Sequence, residues 1–139
     1  MRVLALLTGA LLTGPLASNA SPLEALEWKH RVILIDADRL GHDPSAVLLD
    51  EQRAIDERHI VWLILIDEQI KSNAQDSLPA LSASALRSFY FDSIRDAVIL
   101  IGKDGGIKQS SPSLETLALY EIIDRMPMRR YERRQQSSP

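Results

Sequence analysis

The stretch Arg31-Val32-Ile33-Leu34-Ile35-Asp36 decides the fold. Its unbroken apolar run, rich in β-branched residues and closed by an aspartate, is the pattern of a strand buried on both faces. The same pattern returns in Ile60-Val61-Trp62-Leu63-Ile64-Leu65-Ile66, closed by Asp67, and in Ala97-Val98-Ile99-Leu100-Ile101. Between the first two lies a polar loop over residues 36–43, with Gly41 as its breaker. Pro44 suits the first turn of a helix and Asp43 its N-cap, and Val47, Leu48 and Ile55 supply an inward stripe. Two buried strands joined by a helix require a right-handed parallel crossover.

Downstream, residues 68–77 read as a polar loop, and Ser82 or Ser84 caps a short helix through Leu86, Phe89 and Tyr90. Gly102-Lys103-Asp104-Gly105-Gly106 is a tight turn, because Asp-Gly between apolar runs signals a hairpin. Ile107 to Gln109 is then its short return strand. Ser113 is the expected cap of a last helix, with Glu115 in its first turn and Leu114, Leu117, Ala118, Ile122, Ile123 and Met126 at helical spacing. Pro127 is expected to stop it. The order β-α-β followed by β-β-α predicts an α/β, thioredoxin-like domain over residues 21–134. Its sheet is expected to be mixed and four-stranded, with helices on both faces, and residues 135–139 to fray.

A chain of 139 residues suits one such domain and can bury a real core without staples. It has no cysteine, which removes disulfides, thiol nucleophiles and thiolate metal sites together. Sixteen Lys and Arg face 19 Asp and Glu, and a net charge of −3 speaks against whole-surface nucleic-acid binding.

The first twenty residues, MRVLALLTGALLTGPLASNA, carry a positive Arg2, an apolar run over residues 3–12 and small residues at Ser18 and Ala20. That is the secretory signal pattern, with cleavage expected after Ala20. The apolar run is too short to span a bilayer and Pro15 interrupts it, so no membrane attachment is expected after cleavage. The expected address is periplasmic or secreted.

Two segments carry a resemblance. Leu100-Ile-Gly-Lys-Asp-Gly-Gly-Ile-Lys108, followed by Ile123-Asp-Arg-Met-Pro-Met-Arg-Arg-Tyr-Glu132, resembles an uncharacterised bacterial family of exported thioredoxin-like domains of unknown function. It is similar to the peroxiredoxin-like repeats of animal extracellular-matrix and sushi-repeat proteins, the P-DUDES domains. Trp28 and Arg31 before the first strand, and Glu57-Arg58 before the second, match the same pattern. The resemblance implies a thioredoxin-like fold and supplies no activity. Redox chemistry does not carry over, because such enzymes hold their cysteines where the first strand meets the first helix. Here that place is residues 36–43, without a thiol.

Asp36-Ala37-Asp38 after a hydrophobic strand looks like the opening of haloacid-dehalogenase-type phosphatases, where one aspartate attacks phosphorus and the other serves as acid and base around Mg²⁺. Lys103 or Lys108 would neutralise the phosphate and Asp104 help hold the metal. A looser version has Asp36, Asp38, Asp67 and Asp104 holding a hard cation through oxygens at the carboxyl edge of the sheet. Against the first, Leu40 stands two after Asp38 and no Ser or Thr ends the second strand; against the second, no calcium-loop spacing is present. His30, His42 and His59 show no metal-ligand spacing. No cofactor is called for.

The most unusual segment is Met126-Pro-Met-Arg-Arg-Tyr-Glu-Arg-Arg134, where four arginines face one glutamate. Met and Arg are enriched at protein interfaces. Met126, Met128, Arg129, Arg130, Arg133 and Arg134 are therefore the candidate contact to an envelope or extracellular protein. The leading expectation is a binding or structural module, with a metal-assisted phosphatase built on Asp36 and Asp38 as the alternative.

Overall fold

The computed structural model describes residues 21–137; the expected signal segment, residues 1–20, lies outside them. Strand β1 (Arg31–Asp36) runs parallel to β2 (Ile60–Ile66) and antiparallel to β4 (Val98–Ile101). β3 (Gln69–Ser72) pairs antiparallel with β2, and β5 (Ile107–Ser111) with β4. The mixed sheet has five strands in the order β3-β2-β1-β4-β5.

The fifth strand corrects the expected count of four. Residues 69–72 alternate between exposed and half-buried on a sheet edge, so they carry no run of buried apolar residues to betray a strand. Asp67 turns the chain with φ 49°, a left-handed position that an aspartate tolerates and that the sequence does not flag with glycine.

Helices α1 (Ala37–Leu40), α2 (Ser45–Asp50) and α3 (Gln52–Glu57) form the crossover. Asp36 caps α1 by accepting the Asp38 N–H at 3.1 Å, and Gly41 ends it at φ 90°. Pro44, not Asp43, holds the cap position of α2, and Asp43 accepts the Ser45 N–H at 2.9 Å from one residue earlier. Ser82 accepts the Ala85 N–H as the cap of α4 (Ala83–Leu86), which continues as a π-helical segment, Arg87–Phe91. Helix α5 (Thr116–Asp124) starts with Glu115 rather than Ser113 at its cap.

Pro127 does end the preceding helix, but it also opens another, α6 (Pro127–Ser137). A proline lacks the N–H that an interior turn needs and already holds helical φ, so it serves at the first position of a helix. Residues 135–137, expected to fray, continue α6; residues 138–139 lie outside the described residues.

The pleat of β1 divides the core. Ile33 and Ile35 face Trp62, Ile64, Leu48, Ile55, Leu119 and Ile123 under α2, α3 and α5. Val32 and Leu34 face Leu63, Leu86, Phe91 and Ile99 under α4 and the N-terminal turn. Both faces of the sheet are therefore covered, which is why the strands read as continuous apolar runs.

Candidate functional site

Burial of charge, not the position of carboxylates, marks the site. Among the described residues the buried charged ones are Arg31, Asp36, Lys103 and Arg129. Three are cations, and all three approach Glu132 on α6.

Arg31 opens β1 and is 1% exposed. Its Nη1 and Nη2 donate to the two oxygens of Glu132 at 3.1 and 3.2 Å, and Nη1 also reaches the Arg58 carbonyl at 2.8 Å. Lys103, from the turn after β4, donates to Glu132 Oε1 at 2.6 Å. Arg129, one helical turn before Glu132, lies 3.8 Å from its other oxygen. The planar fork of Arg31 matches a carboxylate in two places at once, so it orients α6 as well as neutralising it.

Around this centre the next contacts are equally specific. Arg129 donates to the Glu57 carbonyl at 2.7 Å and to Asp124 at 3.3 Å. Arg58 grips the same Asp124 from the end of α3 at 2.9 and 3.1 Å, and stacks 4.5 Å from the Tyr120 ring centre. Four cations thus face two carboxylates.

Burial works to raise the pKa of Glu132, but hydrogen bonds from Arg31 and Lys103 outweigh it and hold the carboxyl below its ordinary value. Asp124 is held low against burial in the same way by Arg58 and Arg129. Burial, and then the Lys103 charge, lower the pKa of His59. The neutral ring accepts a hydrogen bond from Lys103 Nζ at Nδ1, 2.8 Å away. His59 and Trp28 both hold left-handed backbone, φ 53° and 68°, and the Trp28 N–H donates to the Lys103 carbonyl at 2.6 Å. The four segments that carried the resemblance, around Arg31, Arg58, Lys103 and Glu132, therefore meet at one place.

The aspartates are divided. Asp36 lies at the end of β1, whereas Asp104 follows β4 and sits beside the start of β1, about 16 Å away along a strand of this length. At the Asp36 end, Arg87 takes the place a cation would take. It lies 3.7 Å from Asp36, 3.2 Å from Asp38, and donates to the Asp67 carbonyl. Arg39 adds a second positive group 3.6 Å from Asp36. Asp104 instead holds its own turn, accepting from Gly106 N–H at 2.9 Å and Lys108 Nζ at 2.7 Å. Among the described residues no three His, Asp or Glu side chains are grouped to hold a metal ion.

The basic segment also divides. Arg129 turns inward, 4% exposed, while Arg130, Arg133 and Arg134 line an open groove with Pro127. Met126 and Met128 border a smaller pocket near Arg31 and Lys103. The reading of the sequence missed the inward roles of Arg31, His59, Glu132 and Arg129. Their only local signal was the i, i+3 spacing of Arg129 and Glu132, which becomes meaningful once residues 127–137 are known to be helical.

The geometry defines an α/β domain whose amino-terminal sheet edge is closed by a cation-rich cluster around one glutamate. The chain belongs to the family described as a domain of unknown function, DUF4174, whose profile matches residues 22–132. The match contains every member of the cluster and ends on Glu132 itself. Comparison with curated proteins and with solved structures gave no match. Among the described residues no helix is long and apolar enough to cross a membrane.

Proposed function

We propose that this chain is an exported domain of thioredoxin-like architecture, without thiol chemistry, that binds an acidic envelope or extracellular protein through the outer face of α6. Three features support the reading. The N-terminal sequence has the secretory pattern, and the order β2-β1-β4-β5 agrees with a minimal thioredoxin-like sheet to which β3 adds an edge. The absence of cysteine removes the redox chemistry associated with that architecture. The observation that carries the binding role is the division of α6. Arg129 and Glu132 anchor the helix inward, while Arg130, Arg133 and Arg134 face outward along a groove of about 540 Å³. A helix already held rigid loses little freedom when a partner docks, and a cluster of like charges steers an oppositely charged one.

The test is affinity capture from the envelope or secreted fraction with residues 21–139 as bait. A second bait carries Arg130→Ser, Arg133→Ser and Arg134→Ser and leaves Arg129 in place. A specific partner retained by the first bait and lost by the second is the expected result. Equal retention by both, or no specific partner, overturns the proposal. No observation favours the phosphatase alternative, since Arg39 and Arg87 already neutralise Asp36.

A further inference from the structure

The cation cluster has unused hydrogen-bonding capacity, and a pocket lies beside it. It lies between the turn at residues 102–106 and the start of α6, has a volume of about 170 Å³, and is bordered by Arg31, Lys103, Asp104, Lys108, Met126 and Met128. Arg31 is 1% exposed, yet its Nε–H finds no acceptor among the described residues. A buried donor left unpaired costs roughly 1–3 kcal/mol, so such groups are uncommon without a reason. Lys103 has three N–H donors, and Glu132 and His59 account for two of them.

Charge points the same way. Arg31, Lys103 and Arg129 converge on the single carboxylate of Glu132, and Asp124 is shared between Arg129 and Arg58. A buried excess of positive charge is costly unless an anion offsets it. Lys108 stands at the rim in an ion pair with Asp104 at 2.7 Å, so that edge is neutral. The remaining wall, from Met126 and Met128, is apolar and adaptable.

We propose that this pocket binds a carboxylate on a short apolar stem, its oxygens taken by Lys103 in the field of the buried Arg31 and its stem lying against Met126 and Met128. The remaining Lys103 N–H and the positive charge of Arg31 beside it suit a carboxylate, and the volume suits a stem of a few carbons rather than a larger ligand. The carboxylate comes either from a free small acid or from a glutamate side chain of a protein partner. The site is separate from the outer face of α6, and either proposal can fail without the other.

The test follows backbone amide resonances of the full chain during titration with butyrate, acetate, inorganic phosphate and a capped glutamyl peptide amide. Sodium chloride at matched ionic strength is the control. Saturable shifts at Gly102, Lys103 and Met128 with butyrate, stronger than with acetate, are expected. Equivalent shifts with the glutamyl peptide and not butyrate keep the carboxylate chemistry and assign it to a protein source. Lys108→Gln leaves Asp104 uncompensated at the rim and should weaken binding about five-fold, the upper end for an exposed charge. Met128→Ser should remove the preference for butyrate over acetate. Shifts with phosphate alone, shifts reproduced by sodium chloride, or no saturable shift with any carboxylate overturn the proposal. An unchanged Lys108→Gln or Met128→Ser titration overturns the assignment of the wall residues.

Discussion

Arg31 and Glu132 lie 101 positions apart in sequence, and their side chains meet in a two-point ion pair at 3.1 and 3.2 Å. The first residue of the central strand is thereby locked to the last helix. Nothing local produces this contact. It exists because β1, the α3–β2 turn, the β4–β5 turn and α6 all end at the same edge of the sheet.

Glu132→Gln should be severe. It leaves Arg31 and Lys103 without a counter-charge and Arg129 with Asp124 alone, and breaking a buried pair on one side typically costs about 3–5 kcal/mol. Urea unfolding of the variant against the parent measures it. A loss below about 1 kcal/mol would mean that the cluster is solvated and not structural.

The arginines of α6 should separate into two groups. Arg129→Ser removes bonds to Asp124 and the Glu57 carbonyl, and a loss of about 2–4 kcal/mol is expected for a buried, paired cation. Arg130→Ser changes an exposed side chain and should stay within about 0.5 kcal/mol of the parent. Thermal melts of the two variants decide it, and similar losses for both would contradict the inward and outward assignment.

Gly105 holds φ 83°, and a Cβ built there would run into the Glu27 carboxylate. Gly105→Ala should therefore destabilise by more than about 1 kcal/mol, since alanine suffers both from the left-handed backbone and from the contact. Gly106 has no positive φ and its nearest neighbour would be Asp104 at 3.3 Å. Equilibrium unfolding should rank Gly106→Ala as the milder change.

Stability should fall with acid in two stages. His30 and His59 have folded pKa values below their ordinary 6.5, burial being the main cause in each. The unfolded chain therefore binds protons that the folded chain refuses, and stability is lost as pH drops below about 6.5 toward the folded values. Glu132, Asp124, Asp43 and Asp104 also have lowered folded values. Their contribution is present above the ordinary carboxylate range and disappears as pH falls through it. Unfolding curves from neutral to strongly acidic pH should show a monotonic decline, and a rise in stability between pH 7 and 5 would refute the assignment of neutral histidines.

Asp36→Asn tests the discarded enzyme. An asparagine keeps the cap on α1 but loses attraction to Arg39 and Arg87, so the domain should fold with a loss of about 1 kcal/mol. Assayed with Mg²⁺ and a phosphoester, parent and variant should behave alike. Hydrolysis by the parent that vanishes in the variant would restore the phosphatase reading.

What the sequence determined by itself is whatever depends on short range. β-branched apolar runs made β1, β2 and β4 legible, Asp-Gly made the β4–β5 hairpin legible, and Ser82 acted as a capping residue, because each signal arises within a few neighbouring residues. The edge strand β3 was hidden, since a half-exposed strand with a left-handed aspartate turn lacks both an apolar run and a glycine. Pro127 was ambiguous because one residue can end a helix and begin another.

Tertiary structure alone decided the site. Asp36, Asp38, Asp67 and Asp104 look alike in sequence, yet Arg87 reaches the first three from a distant helix and the fourth lies at the opposite sheet edge. Arg129 and Arg130 are adjacent in sequence, but the helical rotation between them buries one and exposes the other. Charge is a property of a residue, whereas desolvation and pairing belong to the place where the fold puts it.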